Sequence, residues 1–97
     1  MAARFGDMLL EQRRRMGLSI QQVANTIKIR PQIIEFFENG NFASMPPRGY
    51  AQGMISSYAR FLGLNPREVV NAYFDDLMAY ERETSQQGGR FQDAAGY

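Results

Sequence analysis

Apolar residues recur at helical spacing along the first eighty positions, and no stretch alternates as a strand would. From Phe5 to Met16, apolar Phe5, Met8, Leu9 and Met16 fall at i, i+3, i+4 and i+11. Gly17 closes this segment after three arginines, charges that suit the negative end of a helix. Ser19 then stands three residues before Gln22, the capping-box spacing, and Ile20, Val23, Ala24 and Ile27 form the stripe of a second, short helix. Arg30-Pro31 opens a third with Pro at a tolerated first-turn position; Ile33, Ile34 and Phe37 point inward and Gly40 ends it. The stretch GNFASMPP, ending at Pro47, reads as an irregular connection with Phe42 and Met45 tucked beneath it. A fourth helix runs from about Arg48 to Leu62, stopped by Gly63. Asn65-Pro66 caps and starts a fifth, with Val69, Val70, Tyr73, Phe74 and Leu77 on its buried side. From Thr84 onward, TSQQGGRFQDAAGY has no period and too little apolar content to offset its ordering entropy. The expectation is an all-α domain of five helices over residues 1–83, followed by a flexible tail or linker over 84–97.

Composition narrows what such a domain does. Ninety-seven residues suffice for one core. The chain has no apolar run long enough to span a membrane and no secretory signal at its start, so it reads as cytosolic. Zero Cys and zero His remove disulfides, thiolate nucleophiles, Cys/His metal sites and the usual general base. The one carboxylate doublet, Asp75-Asp76, diverges by about 100° on a helix and reads as a solvated face, not an acid/base pair. An enzyme is not expected, and no cofactor or metal is implied. The net charge of +1 is weak for a protein that lives on phosphate contacts.

The second and third segments, SIQQVANTI and RPQIIEFFEN, joined by a short turn and preceded by a scaffold helix, have the helix-turn-helix layout. Ala24 falls where the two helices cross closely, and Ile29 is the apolar turn residue that drops between them. The residues LLEQRRRMGLSIQQVA followed by ENG resemble the repressor-like helix-turn-helix family, in which an Arg on the first helix pairs with a Glu near the end of the third. The resemblance assigns those roles to Arg13 and Glu38. Charge at a helix terminus plus this pair accounts for Arg13 to Arg15 better than a phosphate patch does, and three arginines with little amphipathic support fall short of a lipid-binding surface. In a major groove the third helix would present Gln32, Glu35, Phe36 and Asn39, with Arg30 at its entry. Gln32 and Asn39 suit adenine and Arg30 suits guanine or phosphate, whereas Glu35 and Phe36 would confront a polyanion.

On the fourth helix, Tyr50, Phe61, Met54, Tyr58, Ala51, Leu62, Ile55 and Ala59 cover about half the circumference, wider than the apolar stripe of about 100° that one core demands. Tyr58, Ala51, Leu62 and Ile55 lie where the core is expected, and Tyr50, Met54 and Phe61 gather on one edge. Two accounts of that edge stand side by side: it is covered by the 41–47 loop and the fifth helix, or it is an exposed aromatic and Met patch of the kind that binds proteins.

IKIRPQIIEFFENGNFASMP and YAQGMISSYARFLGLNP together resemble the cytoplasmic N-terminal domain of the RodZ family of bacterial cytoskeleton proteins, over about residues 5 to 80. The resemblance implies a helix-turn-helix fold extended by two C-terminal helices. It also implies a partner, the actin-like filament protein MreB, tethered beneath the membrane during cell elongation. The grip it implies centres on Tyr50 and Met54. The surface pattern of the helix adds Phe61 as a further insertion and Gln52 and Gly53 as neighbours that set the approach. Met54 stands where Phe or Tyr is usual and Ser56 where Arg is usual, which softens the surface. By the same resemblance the domain is the cytoplasmic part of a single-pass inner-membrane protein, with no membrane contact of its own. The alternative is a sequence-specific DNA-binding regulator using Arg30, Gln32 and Asn39.

Overall fold

The computed structural model describes residues 4–95, with side chains for residues 4–84. Five helices follow one another: α1 (Arg4–Arg15), α2 (Ile20–Ile27), α3 (Pro31–Asn39), α4 (Arg48–Phe61) and α5 (Pro66–Ala95). One 3₁₀ turn, Phe42–Ser44, lies between α3 and α4, and the described residues contain no strand. The start and stop signals act through identifiable bonds. Ser19 Oγ accepts from the Gln22 N–H at 3.0 Å while Gln22 Oε1 accepts from the Ser19 N–H at 2.7 Å, closing the capping box of α2. Asn65 Oδ1 accepts from the Arg67 N–H at 2.9 Å at the head of α5. Gly40 ends α3 in the left-handed region, φ 68°. The backbone of α5 continues past residue 83; the tail assigned to 84–97 lies, beyond Thr84, outside the residues whose side chains are described.

All five helices contribute to one core: Phe5 and Leu9 from α1, Val23 and Ala24 from α2, Ile34 and Phe37 from α3, Ala51, Ile55, Tyr58 and Ala59 from α4, and Val69, Ala72 and Tyr73 from α5. Ala24 is buried between α2 and its neighbours and Ile29 packs half-buried against the same cluster, as the helix-turn-helix layout requires. α5 lies across α1 and α4, and α3 lies against α1 and α2. The connection after α3 is folded under itself: the Phe42 ring stacks on Tyr80 at 5.2 Å between centroids and lies 5.8 Å from Phe5 and 6.2 Å from Tyr73.

Two expectations need correction. Met16 is 45% exposed, because α1 ends at Arg15 and leaves it in the turn, off the apolar stripe. Asp76 is half-buried instead of belonging to a solvated face: its Oδ2 accepts from the Phe5 N–H at 2.9 Å. The first amides of any helix lack internal acceptors, and here α5 supplies one to α1 from 71 residues away.

A carboxylate at the centre of the fold ties three helices together. Glu38, at the end of α3, is 5% exposed. Arg13 of α1 donates to it twice, Nε to Oε2 at 2.7 Å and Nη2 to Oε1 at 2.9 Å, as the repressor-like resemblance implied, and Arg13 Nη1 donates to the Leu18 carbonyl at 2.9 Å. The hydroxyl of Tyr58, wholly buried on α4, donates to Glu38 Oε2. Every buried side-chain polar atom among the described residues has a partner. Burial first, then the hydrogen bond to Glu38, pushes the Tyr58 hydroxyl well above the usual phenol range; burial moves Tyr73 the same way. The hydrogen bond to Glu38 likewise raises Arg13, against a smaller opposing effect of burial.

A proton held more tightly by the folded Tyr58 than by the unfolded chain stabilises the fold below the ordinary phenol value of about 10 and ceases to do so as pH climbs beyond it. Thermal melts are therefore expected to fall steeply above about pH 10, and Tyr58→Phe is expected to flatten that fall. At neutral pH the same substitution should cost only about 1 kcal/mol, since Arg13 still satisfies Glu38. An unchanged alkaline slope in Tyr58→Phe contradicts this account.

Glycines give a second contrast. A Cβ on Gly6 would meet the Glu38 carbonyl oxygen at 2.5 Å and that of Phe37 at 2.6 Å, so Gly6 sets how closely α1 approaches the end of α3. A Cβ on Gly49 or Gly53 would meet nothing within 4 Å. Denaturant titrations should show Gly6→Ala losing about 1–3 kcal/mol, and Gly53→Ala, in the helix interior, gaining about 0.5–1 kcal/mol from helix propensity alone, with a smaller gain for Gly49→Ala in the first turn.

Candidate functional site

The outer face of α4 follows from which half of the helix the core takes. Ala51, Ile55, Tyr58 and Ala59 are buried, and Leu62, just past the helix, is 1% exposed. At 100° per residue these positions occupy one side, leaving Gly49, Gly53, Ser56, Ser57 and Arg60 around the opposite side with Tyr50 at its edge. Tyr50 is 71% exposed, the most open large hydrophobic side chain of the described residues. Met54 and Phe61 lie half-buried against the core, and Gln52 and Gly53 are exposed. The edge thus divides: the Tyr50 ring stands free, while Met54 and Phe61 each show solvent one side and the core the other. The 41–47 connection does not close over Tyr50, because Phe42 turns to Phe5, Tyr73 and Tyr80 and Met45 joins the same hollow between the connection and α5.

The polar residues proposed for a groove-reading α3 are also accessible. Arg30, Gln32 and Asn39 are exposed, with exposed Glu35 and half-buried Phe36 between them. Arg30 occupies the N-cap of α3 with no side-chain cap bond. α3 adds two carboxylates to that one guanidinium, of which Glu38 is neutralised by Arg13 and only Glu35 faces water. No acid interrupts α4, whose charged residues are Arg48 and Arg60. Arg48 Nη2 meets Glu81 of α5 at 3.3 Å, an exposed pair.

Three features escaped sequence reasoning. The Tyr58 hydroxyl completes the Glu38 clasp; a phenol placed in a core must find an acceptor, and that rule would have sent the search to the nearest buried carboxylate. Asp76 caps α1, for which no local spacing exists to be read. Third, α4 and α5 leave an open groove of about 730 Å³ between Gly49, Gly53 and Ser56 on one wall and Arg67, Val70 and Phe74 on the other.

Known proteins resemble this chain in sequence and in overall fold. An uncharacterised protein of Haemophilus influenzae is 37% identical over 60 residues, which make up 61% of this chain and 20% of that protein, so the chain spans about a fifth of its relative's length. Among solved structures, YmfM of Staphylococcus aureus, described as a candidate DNA-binding membrane protein, superimposes with a TM-score of 0.68 at 25% identity, covering 74% of this chain and 88% of YmfM. A family model described as a helix-turn-helix domain matches residues 8–69, from the middle of α1 into the first turn of α5. On that match across most of its length, the chain belongs to the helix-turn-helix domain family.

Proposed function

We propose that this domain is a protein-docking adaptor that grips an actin-like filament protein of the MreB type through α4 and links it to the membrane in the maintenance of cell shape. The observation that carries the reading is the open Tyr50 ring on a helix that the core otherwise holds rigid. Tyr is favoured at binding hot spots because it brings large contact area at small entropic cost. Half-buried Met54 and Phe61 extend the contact from a fixed base, and exposed Gln52 and Gly53 lie beside them. The resemblance to RodZ-like domains supplies the class of partner. The membrane link would belong to a longer protein of which this domain forms the cytoplasmic part: no helix among the described residues is long and apolar enough to cross a bilayer. The description of YmfM as a membrane protein supports the same reading.

A second reading, sequence-specific DNA binding, draws on the exposure of Arg30, Gln32 and Asn39 and on the DNA-binding description of YmfM. The carboxylate of Glu35 in the middle of that face weighs against it.

In co-sedimentation with purified MreB-type filaments, Tyr50→Ala is expected to weaken binding about thirtyfold, the equivalent of ~2 kcal/mol at a hot spot. Its melting temperature should stay near wild type because the ring is exposed. Retention of full affinity would remove the adaptor reading. Titration with duplex DNA is expected to show only weak, sequence-indifferent binding; specific binding with a log-log salt slope of several units would establish the second reading instead.

A further inference from the structure

Gly53 lies inside α4, where glycine weakens a helix, Gly49 lies in its first turn, and among the described residues nothing packs closely enough to need either. With Ser56 and Arg60 they form a row at i, i+4, i+7 and i+11, a straight channel along the outside of the helix. Its far wall is α5, where half-buried Val70 and Phe74 present an apolar floor and exposed Arg67 stands at one end. No carboxylate lines this space. Arg48 is paired with Glu81, whereas Arg60 and Arg67 make no ion pair among the described residues. Tyr50 projects about 100° around the helix from Gly49, so a body resting on the Tyr50 ring overhangs the channel.

We propose that the α4–α5 groove seats an α-helix of the docked partner, one that lays apolar residues over Gly49, Gly53 and Phe74 and offers an acidic side chain to Arg60 and Arg67. The inference rests on the docking role of α4 set out above. A helix fits where a strand does not. Both walls are helices whose backbone bonds are internal, so no sheet edge is available to pair with an extended segment. Helix axes approach to 8–10 Å, the lower end of that range requiring small residues at the contact, which Gly49, Gly53 and Ser56 provide. The acidic partner follows from charge complementarity: Arg67 lines the groove with no carboxylate beside it, and Arg60 continues the same row of α4 beyond Ser56, neither in an ion pair among the described residues. A phosphate backbone would meet the same two cations but would also lie on Val70 and Phe74, which favours the peptide.

The test is co-sedimentation of the full chain with purified MreB-type filaments, comparing wild type, Tyr50→Ala, Gly53→Leu and Arg67→Glu, with a thermal melt of each. Gly53→Leu is expected to melt no lower than wild type and yet bind at least about tenfold more weakly, a combination that damage to the fold does not produce. Arg67→Glu is expected to lose about tenfold in affinity and most of the salt dependence of what binding remains. If Tyr50→Ala weakens binding while both groove variants bind as wild type, the filament grips the aromatic edge alone and the groove proposal fails by itself. If wild type does not co-sediment, the docking reading and the groove proposal fail together. Groove substitutions that abolish duplex-DNA binding or self-association, with filament binding intact, assign the groove to nucleic acid or to a second copy and overturn the proposal.

Discussion

A single buried carboxylate holds the arrangement in place. Removing Glu38 from water is unfavourable by several kcal/mol, and the fold offsets this with two hydrogen bonds from Arg13 and one from Tyr58, converging from α1 and α4 on the end of α3. Charge-assisted, two-pronged bonds of this kind are strongly directional. They fix where the three helices meet as well as how firmly. Gly6 adds a steric condition at the same place, letting α1 come against the carbonyls of Phe37 and Glu38. Once that corner is set, the rotation of α4 about its axis is set too, since Tyr58 must point at Glu38. The opposite face, with the Gly49 row at its centre and Tyr50 at its edge, is then turned outward.

The same constraint separates the two surfaces that could do something. α3 presents Arg30, Gln32 and Asn39 in the position of a reading helix, but it also presents Glu35, and its other acid is occupied by the clasp. α4 presents a free aromatic ring, two half-covered apolar side chains and a face without a single acid. Fold membership therefore fixes the scaffold without fixing the task. That difference in surface chemistry between α4 and α3 is what supports the proposed docking role over DNA reading.

Most of the fold was legible along the chain because its signals are local. Ser19 and Gln22, Asn65 and Pro66, and the glycines at 17, 40 and 63 each act within a few residues of where they stand. The Arg13–Glu38 pair was legible for a different reason: a family pattern carries long-range information that periodicity lacks. What stayed hidden depended on pairs far apart in sequence. Asp76 and Phe5 are 71 positions apart and Tyr58 and Glu38 are 20, and no helical period predicts either meeting. The edge holding Tyr50, Met54 and Phe61 was visible as surplus apolar surface, but periodicity cannot say where a loop will lie. That depended on Phe42, whose ring is drawn to Phe5, Tyr73 and Tyr80, so the connection folds toward α1 and α5 and leaves Tyr50 uncovered.

A rigid helix with an exposed ring is a particular physical solution to binding. Burying an aromatic side chain is worth about 1.5–3 kcal/mol, and Tyr50 leaves most of that unrealised in the folded chain. Association realises it in full only if little is lost in ordering the site. The clasp at Glu38 and the packing of α5 along α4 hold the helix within the folded chain. The glycines act in the opposite direction, weakening α4 slightly while leaving its outer surface low. A helix that is braced on its buried side and thinned on its open side is poorly explained by stability alone. It is well explained if the last layer of packing against α4 comes from another molecule.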